Sequence, residues 1–419
     1  MTRARSKIGV VVATALSVTI IVGAGLLALP GLSFDVAGRL GWVPWVIVAS
    51  AMLPLLIIFA YFGKTHPSAG GVVGYVRASL GARCATMCEV IVLGTFTLGV
   101  PAIALIGAQY LQSALPTTGV GLLASAIVTL AFVAGVIGLR VSGVIQTSIA
   151  SLIVLGLVVV GVGFIGALPD ASQTVSDAVV PAGSVHSVLS AVPFILFAFT
   201  GWEMTAFLAE DMADPRRDIP RSIWTSFVIV AVLYIAIAWL VATYGQQTRA
   251  WTQAPVAEMA KVWLGHAGGQ WVAVVAALLV LANVVAAFLS VSRAIFSAGR
   301  DGVLPRVLSK VDRRGEPLFA MTLTYVIFLV VIAAHAFDLL RVDSLLQLAG
   351  QNFFVLYFLV AIGYVKLQRG SLPRQAVGIA AVVVVAAMMF FFSTSGLAYC
   401  AALSAFGFWM GRPSSIHRP

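Results

Sequence analysis

Two short stretches decide the fold of this chain: Ile21-Val22-Gly23-Ala24-Gly25-Leu26 and Phe197-Ala198-Phe199-Thr200-Gly201-Trp202-Glu203. Each lies near the middle of a long apolar segment, where glycine is unexpected because it costs about 1 kcal/mol relative to alanine in a helix. A single cluster of small residues favours close packing between helices. Two clusters at matching positions in the two halves of a chain instead indicate interrupted helices around a binding site.

The composition shows where those apolar segments reside. Of the 419 residues, 61% are hydrophobic and 10% are charged, and the mean hydropathy is +1.05. A soluble domain averages about 25% charged residues. A chain with so few charges cannot cover a water-exposed surface, so it is predicted to lie in a lipid bilayer.

The apolar segments predict an all-α membrane protein, because a helix needs about 20 apolar residues to cross the hydrocarbon core. About twelve spans are predicted, at residues 8–30, 42–63, 86–113, 120–139, 143–167, 187–210, 222–244, 270–298, 318–336, 344–366, 375–393 and 396–411. The whole chain, 1–419, is predicted to be a single transmembrane domain.

The basic residues predict the orientation of these spans. One side of the membrane holds all but four of the 25 lysine and arginine residues. The other side holds only Arg39, Arg249, Lys261 and Arg341. The positive-inside rule therefore places both termini in the cytoplasm of a bacterium, with the protein in the inner membrane. The net charge of +10 is explained by topology and headgroup contacts, and no nucleic-acid partner is expected.

The two interruptions fall in spans one and six. These positions correspond if residues 1–167 and 187–366 are five-span repeats and residues 375–411 add two helices. Because five is odd, the second repeat must enter the membrane inverted. The halves share no visible sequence identity, so the repeat is predicted from span number and break position alone.

The breaks predict a ligand through their main chain. An unwound segment frees N–H and C=O groups that lipid cannot satisfy, so these groups must face a cavity or a ligand. The N-terminus of a half-helix favours a carboxylate, and carbonyl groups at the opposite break suit an ammonium group. Two facing breaks can therefore recognise both ends of an α-amino acid.

Few side chains add chemistry to these spans. Glu203 lies near the bilayer centre, where a carboxyl group normally lines a cavity and has a function, although a structural role is the alternative. Ser290 and Ser292 are weak candidates for sodium ligands. Cys84 and Cys88 have no histidine or acidic partners in a metal-binding pattern. No metal site and no cofactor are predicted.

Three cytoplasmic segments carry a more specific signal: Pro67 to Tyr75, Glu210 to Arg221, and Ser292 to Pro305 followed by Gly315-Glu316-Pro317. Together with the two breaks, they closely resemble the amino acid–polyamine–organocation superfamily, in the right order over spans one to ten. The short loops and tails are most similar to the bacterial methionine and branched-chain amino acid exporter group.

The resemblance implies the leucine-transporter fold, a 5+5 inverted repeat with two extra helices and with helices 1 and 6 broken. It implies a central substrate site, with Glu203 coupling occupancy to gating. The residues implied to bind substrate are Ile21, Val22, Gly23, Ala24, Gly25, Phe197, Ala198, Phe199, Thr200, Gly201 and Trp202. Several proton-coupled relatives have a lysine in the fifth span, but here the matching position is Val154.

The leading hypothesis is a secondary active transporter of neutral, apolar L-amino acids that exports them by proton antiport or exchange through alternating access. The alternative is a sodium- or proton-coupled uptake permease. A channel is a more distant alternative, because it would need a polar stripe along several spans. No metal cluster or nucleophile–base pair suggests an enzyme. No feature of the sequence sets an oligomeric state.

Overall fold

The fold is known from a computed structural model. It describes residues 9–22, 24–65, 71–137, 143–168, 183–202, 212, 214–246, 248–300, 304–312 and 315–411. This part of the chain forms fifteen α-helices and no β-strand. The helices are α1 (Val10–Ile21), α2 (Ala24–Ala37), α3 (Val43–Thr65), α4 (Gly71–Leu80), α5 (Ala82–Ala114), α6 (Val120–Val136), α7 (Gly143–Ala167), α8 (Val185–Ala198), α9 (Pro215–Tyr244), α10 (Arg249–Gln253), α11 (Pro255–Arg300), α12 (Leu318–Ala336), α13 (Val342–Leu367), α14 (Leu372–Met389) and α15 (Thr394–Met410).

Every predicted span contains at least one described helix, although residues 203–210 of the sixth span lie outside the described residues. Among the described residues, seven helices are long and apolar enough to cross a membrane: α3, α5, α9, α11, α12, α13 and α14. Helices α6 and α8 and the Val154–Ala167 part of α7 are apolar but shorter. The chain is therefore a multi-pass membrane protein.

Several predicted span ends were wrong, and local sequence explains two of them. The seventh span begins at Pro215 rather than at residue 222, because proline at the first helical position fits a helix start. The eighth span is the second part of α11, which starts at Pro255 and bends at Gly265. Gly265 has φ +73°, in the left-handed region that favours glycine.

The helix contacts occur in matching pairs. A contact made by one of the first five spans has an equivalent made by its counterpart five spans later in the chain. Helix α5 contacts α13, and its counterpart α11 contacts α7. Likewise α1 contacts α9 while α8 contacts α3, and α1 contacts α7 while α8 contacts α13. This is the packing expected of two five-span repeats, whose boundaries at residues 1–167 and 187–366 stay a prediction. The two remaining helices pack outside them, α14 against α3 and α13, and α15 against α5 and α13.

Helix α2 is held in place by contacts at two points along its length. A methyl group on Gly31 would collide with the carbonyl oxygens of Trp251 and Thr252, so the short helix α10 rests directly on the α2 backbone. Nearer the start of α2, the Leu27 carbonyl accepts a 2.6 Å hydrogen bond from the Tyr110 hydroxyl group on α5. These contacts fix α2 beside the first predicted break.

Candidate functional site

The first span is interrupted where the sequence predicted. Helix α1 ends at Ile21, and Val22 leaves the helix with φ −70° and ψ 1°. Helix α2 begins at Ala24. Gly23 lies outside the described residues, and the Ala24 side chain is likewise not described. Gly25 was expected in the unwound part but is already helical, so the break is shorter than predicted.

The sixth span is interrupted at the predicted position too. Helix α8 ends at Ala198, and Phe199 leaves the helix with φ −98° and ψ 16°. The Phe197 carbonyl then accepts hydrogen bonds from the Thr200 amide at 3.2 Å and the Thr200 hydroxyl group at 2.7 Å. Gly201 has φ +114°, a conformation that a residue with a side chain rarely adopts. The chain therefore turns out of the helix at Gly201.

Two further predicted site residues, Trp202 and Glu203, come directly after Gly201. Trp202 follows the turn and is 1% exposed, and among the described residues its indole Nε1 has no hydrogen-bond partner. Such an unpaired buried donor is costly unless a ligand or water accepts from it. Glu203, the predicted coupling residue, lies outside the described residues.

The two breaks lie side by side. A Cβ atom built on Gly25 would be 3.3 Å from both Cα and Cβ of Ala198, which is tighter than almost all real contacts. The first turn of α2 and the last turn of α8 therefore touch main chain to main chain. A side chain at position 25 would require the two helices to move apart by a few tenths of an ångström or more.

Tyr234 connects the two breaks, and sequence reasoning did not identify it. Its hydroxyl group, on α9, donates to the Ile21 carbonyl at 2.6 Å and lies 3.2 Å from the Ala198 carbonyl. These are the last helical residues of α1 and α8. The tyrosine is fully buried, with its ring 5.1 Å from Trp45 and 5.2 Å from Phe199. The sequence signal that could have identified Tyr234 is its position in the middle of the seventh apolar span.

The helix ends give the site opposite partial charges. The C-terminal ends of α1 and α8 bring carbonyl groups and partial negative charge to the breaks. The N-terminal end of α2 brings free N–H groups and partial positive charge to the same place. The breaks can thus bind a cation and an anion at once, with no charged side chain among their described residues.

The weak sodium candidates do not lie together. Ser290 is exposed and donates to the Ala286 carbonyl at 2.9 Å. Ser292 is buried and bonds instead to the Phe288 carbonyl at 2.8 Å and to Thr324 Oγ1 at 3.2 Å. The structure therefore gives no support to a shared sodium site at these serines.

An apolar bundle in which two broken helices touch at their backbones is the architecture of a membrane transporter. A profile of the family described as "Amino acid permease" matches residues 8–417. The chain belongs to this family, and the resemblance seen in its motifs is confirmed. The members are transporters and not enzymes, and the family implies small amino acids as substrates.

Three named relatives are similar to this chain over most of its length. The uncharacterized amino acid permease YecA of Bacillus subtilis (strain 168) is 27% identical, covering 97% of this chain and 95% of that protein. The L-methionine/branched-chain amino acid exporter YjeH of Escherichia coli (strain K12) is 27% identical, covering 90% of each. The branched-chain amino acid permease BcaP of Bacillus subtilis (strain 168) is 25% identical, covering 88% and 83%.

Proposed function

We propose that the protein is a secondary active transporter of neutral, apolar L-amino acids of the methionine, leucine, isoleucine and valine class. It works by alternating access and exports its substrate by proton antiport or by exchange. The single observation that carries this proposal is the contact between Gly25 and Ala198, which sets the two helix breaks side by side. Both ends of a zwitterion can then meet bare main-chain groups.

The substrate carboxylate binds at the start of α2, near Gly23, Ala24 and Gly25, where N–H groups are free. The ammonium group binds carbonyl groups at the ends of α1 and α8. Thr200, Gly201 and Trp202 complete the site on the α8 side. The indole Nε1 of Trp202, buried without a described partner, supports a polar ligand at this position.

The apolar lining supports the substrate class. Ile21, Val22, Phe199 and Ala198 are all at most 4% exposed and surround the breaks with hydrocarbon. Apart from Glu203, the residues of the two breaks are apolar or small, so a cationic substrate side chain would need more acidic partners than they offer, and an unpaired buried charge is costly. The printed names of the relatives from Escherichia coli and Bacillus subtilis, which concern methionine and branched-chain amino acids, point the same way.

Counterflow in proteoliposomes tests the function. Vesicles loaded with unlabelled leucine or methionine should accumulate labelled substrate, because a carrier exchanges one molecule for another and a channel does not. Proton and sodium gradients, varied separately, distinguish antiport from the alternative uptake permease. Accumulation of arginine without methionine or leucine would contradict the substrate assignment.

Glu203 is the proposed coupling group, since the fifth span offers Val154 where proton-coupled relatives have lysine. The variant Glu203→Gln should insert normally but lose the pH dependence of transport, because an amide cannot titrate. The measurement is the initial exchange rate against pH. Glu258→Gln is the control, as that carboxylate pairs with Lys261 at 3.4 Å in the first part of α11. A wild-type pH profile in Glu203→Gln would reduce Glu203 to a structural role.

The proposed setting is the bacterial inner membrane, with both termini in the cytoplasm. The asymmetry of lysine and arginine supports this orientation. Of the four basic residues assigned to the outer side, Arg249 lies in the helix α10 that covers α2, and Lys261 lies in the first part of α11. Helix α10 is thus proposed to face the periplasm.

A further inference from the structure

The turn between α13 and α14 carries three cations and no anion. Lys366, Arg369 and Arg374 are all exposed. Residues 344–419 contain no aspartate and no glutamate. Among the described residues, none of the three cations pairs with a carboxylate group. These three residues therefore form a basic patch whose positive charge is not compensated by the protein.

Other basic segments of the chain carry their own acidic residues. The segment 210–221 contains three arginines together with four carboxylate side chains. The segment 300–316 contains five basic and three acidic residues. Arg77 at the end of α4 pairs with Glu89 at 2.8 Å. The basic patch differs from these segments in that its charge remains available to a partner.

Contacts with the helix ends hold the basic patch together. The Lys366 Nζ atom donates to the Ser79 carbonyl of α4 at 3.0 Å. The Arg374 side chain lies close enough to Tyr364 on α13 to interact with it electrostatically. Arg369 lies between these two cations in the turn. Helix α14 begins directly after the turn without a side-chain cap, so its free N–H groups add partial positive charge.

An exposed apolar face of α14 begins beside the basic patch. Leu372, Ile379 and Val383 are 82%, 54% and 60% exposed, and their spacing places them on one face of the helix. Helices α13 and α14 are both long and apolar enough to cross a membrane. The turn that joins them therefore lies at the membrane surface, and the apolar face extends from it into the lipid.

We propose that the basic patch binds the headgroup of an anionic phospholipid, whose acyl chains lie along the exposed face of α14. Phosphate oxygens accept strong, charge-assisted hydrogen bonds from guanidinium and ammonium groups. Basic clusters at the ends of membrane helices recognise anionic headgroups in this way. A zwitterionic headgroup gains less, because its own cation is repelled by the patch. This inference goes beyond the proposed function, since it involves neither the breaks nor a substrate.

The test measures binding of a short-chain phosphatidylglycerol to the full-length protein in neutral detergent, beside a phosphatidylcholine with the same chains. One basic residue near a membrane surface contributes about fivefold in affinity. The variant Lys366→Gln/Arg369→Gln/Arg374→Gln should therefore bind phosphatidylglycerol at least about tenfold more weakly and phosphatidylcholine as before. Arg369→Gln alone should weaken phosphatidylglycerol binding about fivefold, which keeps the test open if the triple variant fails to fold.

Arg216→Gln/Arg217→Gln/Arg221→Gln is the matched control. It removes the same charge from three exposed arginines in the first turns of α9, where Asp214 and Asp218 are close in sequence. Its affinity for phosphatidylglycerol should equal that of the wild type. An equal loss in the two triple variants would show a general effect of net charge and overturn the inference.

Two further results would also overturn it. One is equal affinity of the wild type for the two lipids, since the patch would then not select an anionic headgroup. The other is glycerol phosphate binding as tightly as phosphatidylglycerol, since the acyl chains would then contribute nothing. No part of this test measures transport, so each of these results leaves the proposed function untouched.

Discussion

Replacing Tyr234 with phenylalanine is expected to slow amino acid exchange about tenfold or more while the protein stays folded and inserted. The hydroxyl group is the described donor to the Ile21 carbonyl and also lies within reach of the Ala198 carbonyl. Losing a partner in a buried setting costs a polar group about 1–3 kcal/mol. Because both carbonyl groups end half-helices at the breaks, the loss disturbs the geometry of the site itself. Initial exchange rates at matched protein abundance measure the effect.

Tyr110→Phe provides the control for this variant. Tyr110 is equally buried, and its hydroxyl group also donates at 2.6 Å to a carbonyl of the first span, that of Leu27. That bond holds α2 alone, whereas the Tyr234 hydroxyl group reaches the last helical residues of both α1 and α8. Both variants should lower thermal stability by a similar amount, but only Tyr234→Phe should slow transport strongly. Equal rates in the two variants would show that Tyr234 serves stability alone.

The variant Gly25→Val should lose transport almost completely, by roughly a hundredfold. A single carbon atom at position 25 would already be 3.3 Å from the Ala198 backbone, and valine adds two more carbons. Overpacking of this kind costs about 1–3 kcal/mol and sometimes more. The two half-helices must separate, so the facing main-chain groups no longer fit one zwitterion. Substrate binding measured on the detergent-solubilised protein should weaken together with transport.

A pair of smaller changes tests whether the close approach is the cause. Gly25→Ala should reduce transport less severely, even though alanine is the better helix former. Adding Ala198→Gly removes one of the two atoms that the new methyl group meets, so it should restore much of the rate. If Ala198→Gly made Gly25→Ala no better, the helix contact would not be what limits transport.

Much of the fold was predictable because lipid imposes strong constraints on sequence. Apolar length located the spans, and glycine at Gly25 and Gly201 located the two breaks within a few residues. Each of these signals lies within one short segment of the chain. The break in the first span was predicted slightly too far along, since Gly25 is needed for contact with α8 rather than for unwinding.

The remaining features of the fold and site could not be predicted from the sequence, because they depend on which helices become neighbours. Nothing near Tyr234 in the sequence says that its hydroxyl group reaches carbonyl groups in spans one and six. The start of α11 at Pro255 was missed because a polar segment with a bend at Gly265 lacks a continuous apolar pattern.

The two hydroxyl groups on Tyr110 and Tyr234 tether the halves of the first span to different partners. The second half, α2, is bonded at Leu27 to α5, whereas the first half, α1, is bonded at Ile21 to α9. Under the proposed function, this arrangement allows one half to tilt at Val22 while the other keeps its hydrogen bond. Substrate release would then require movement of one half-helix and not of the whole helix bundle.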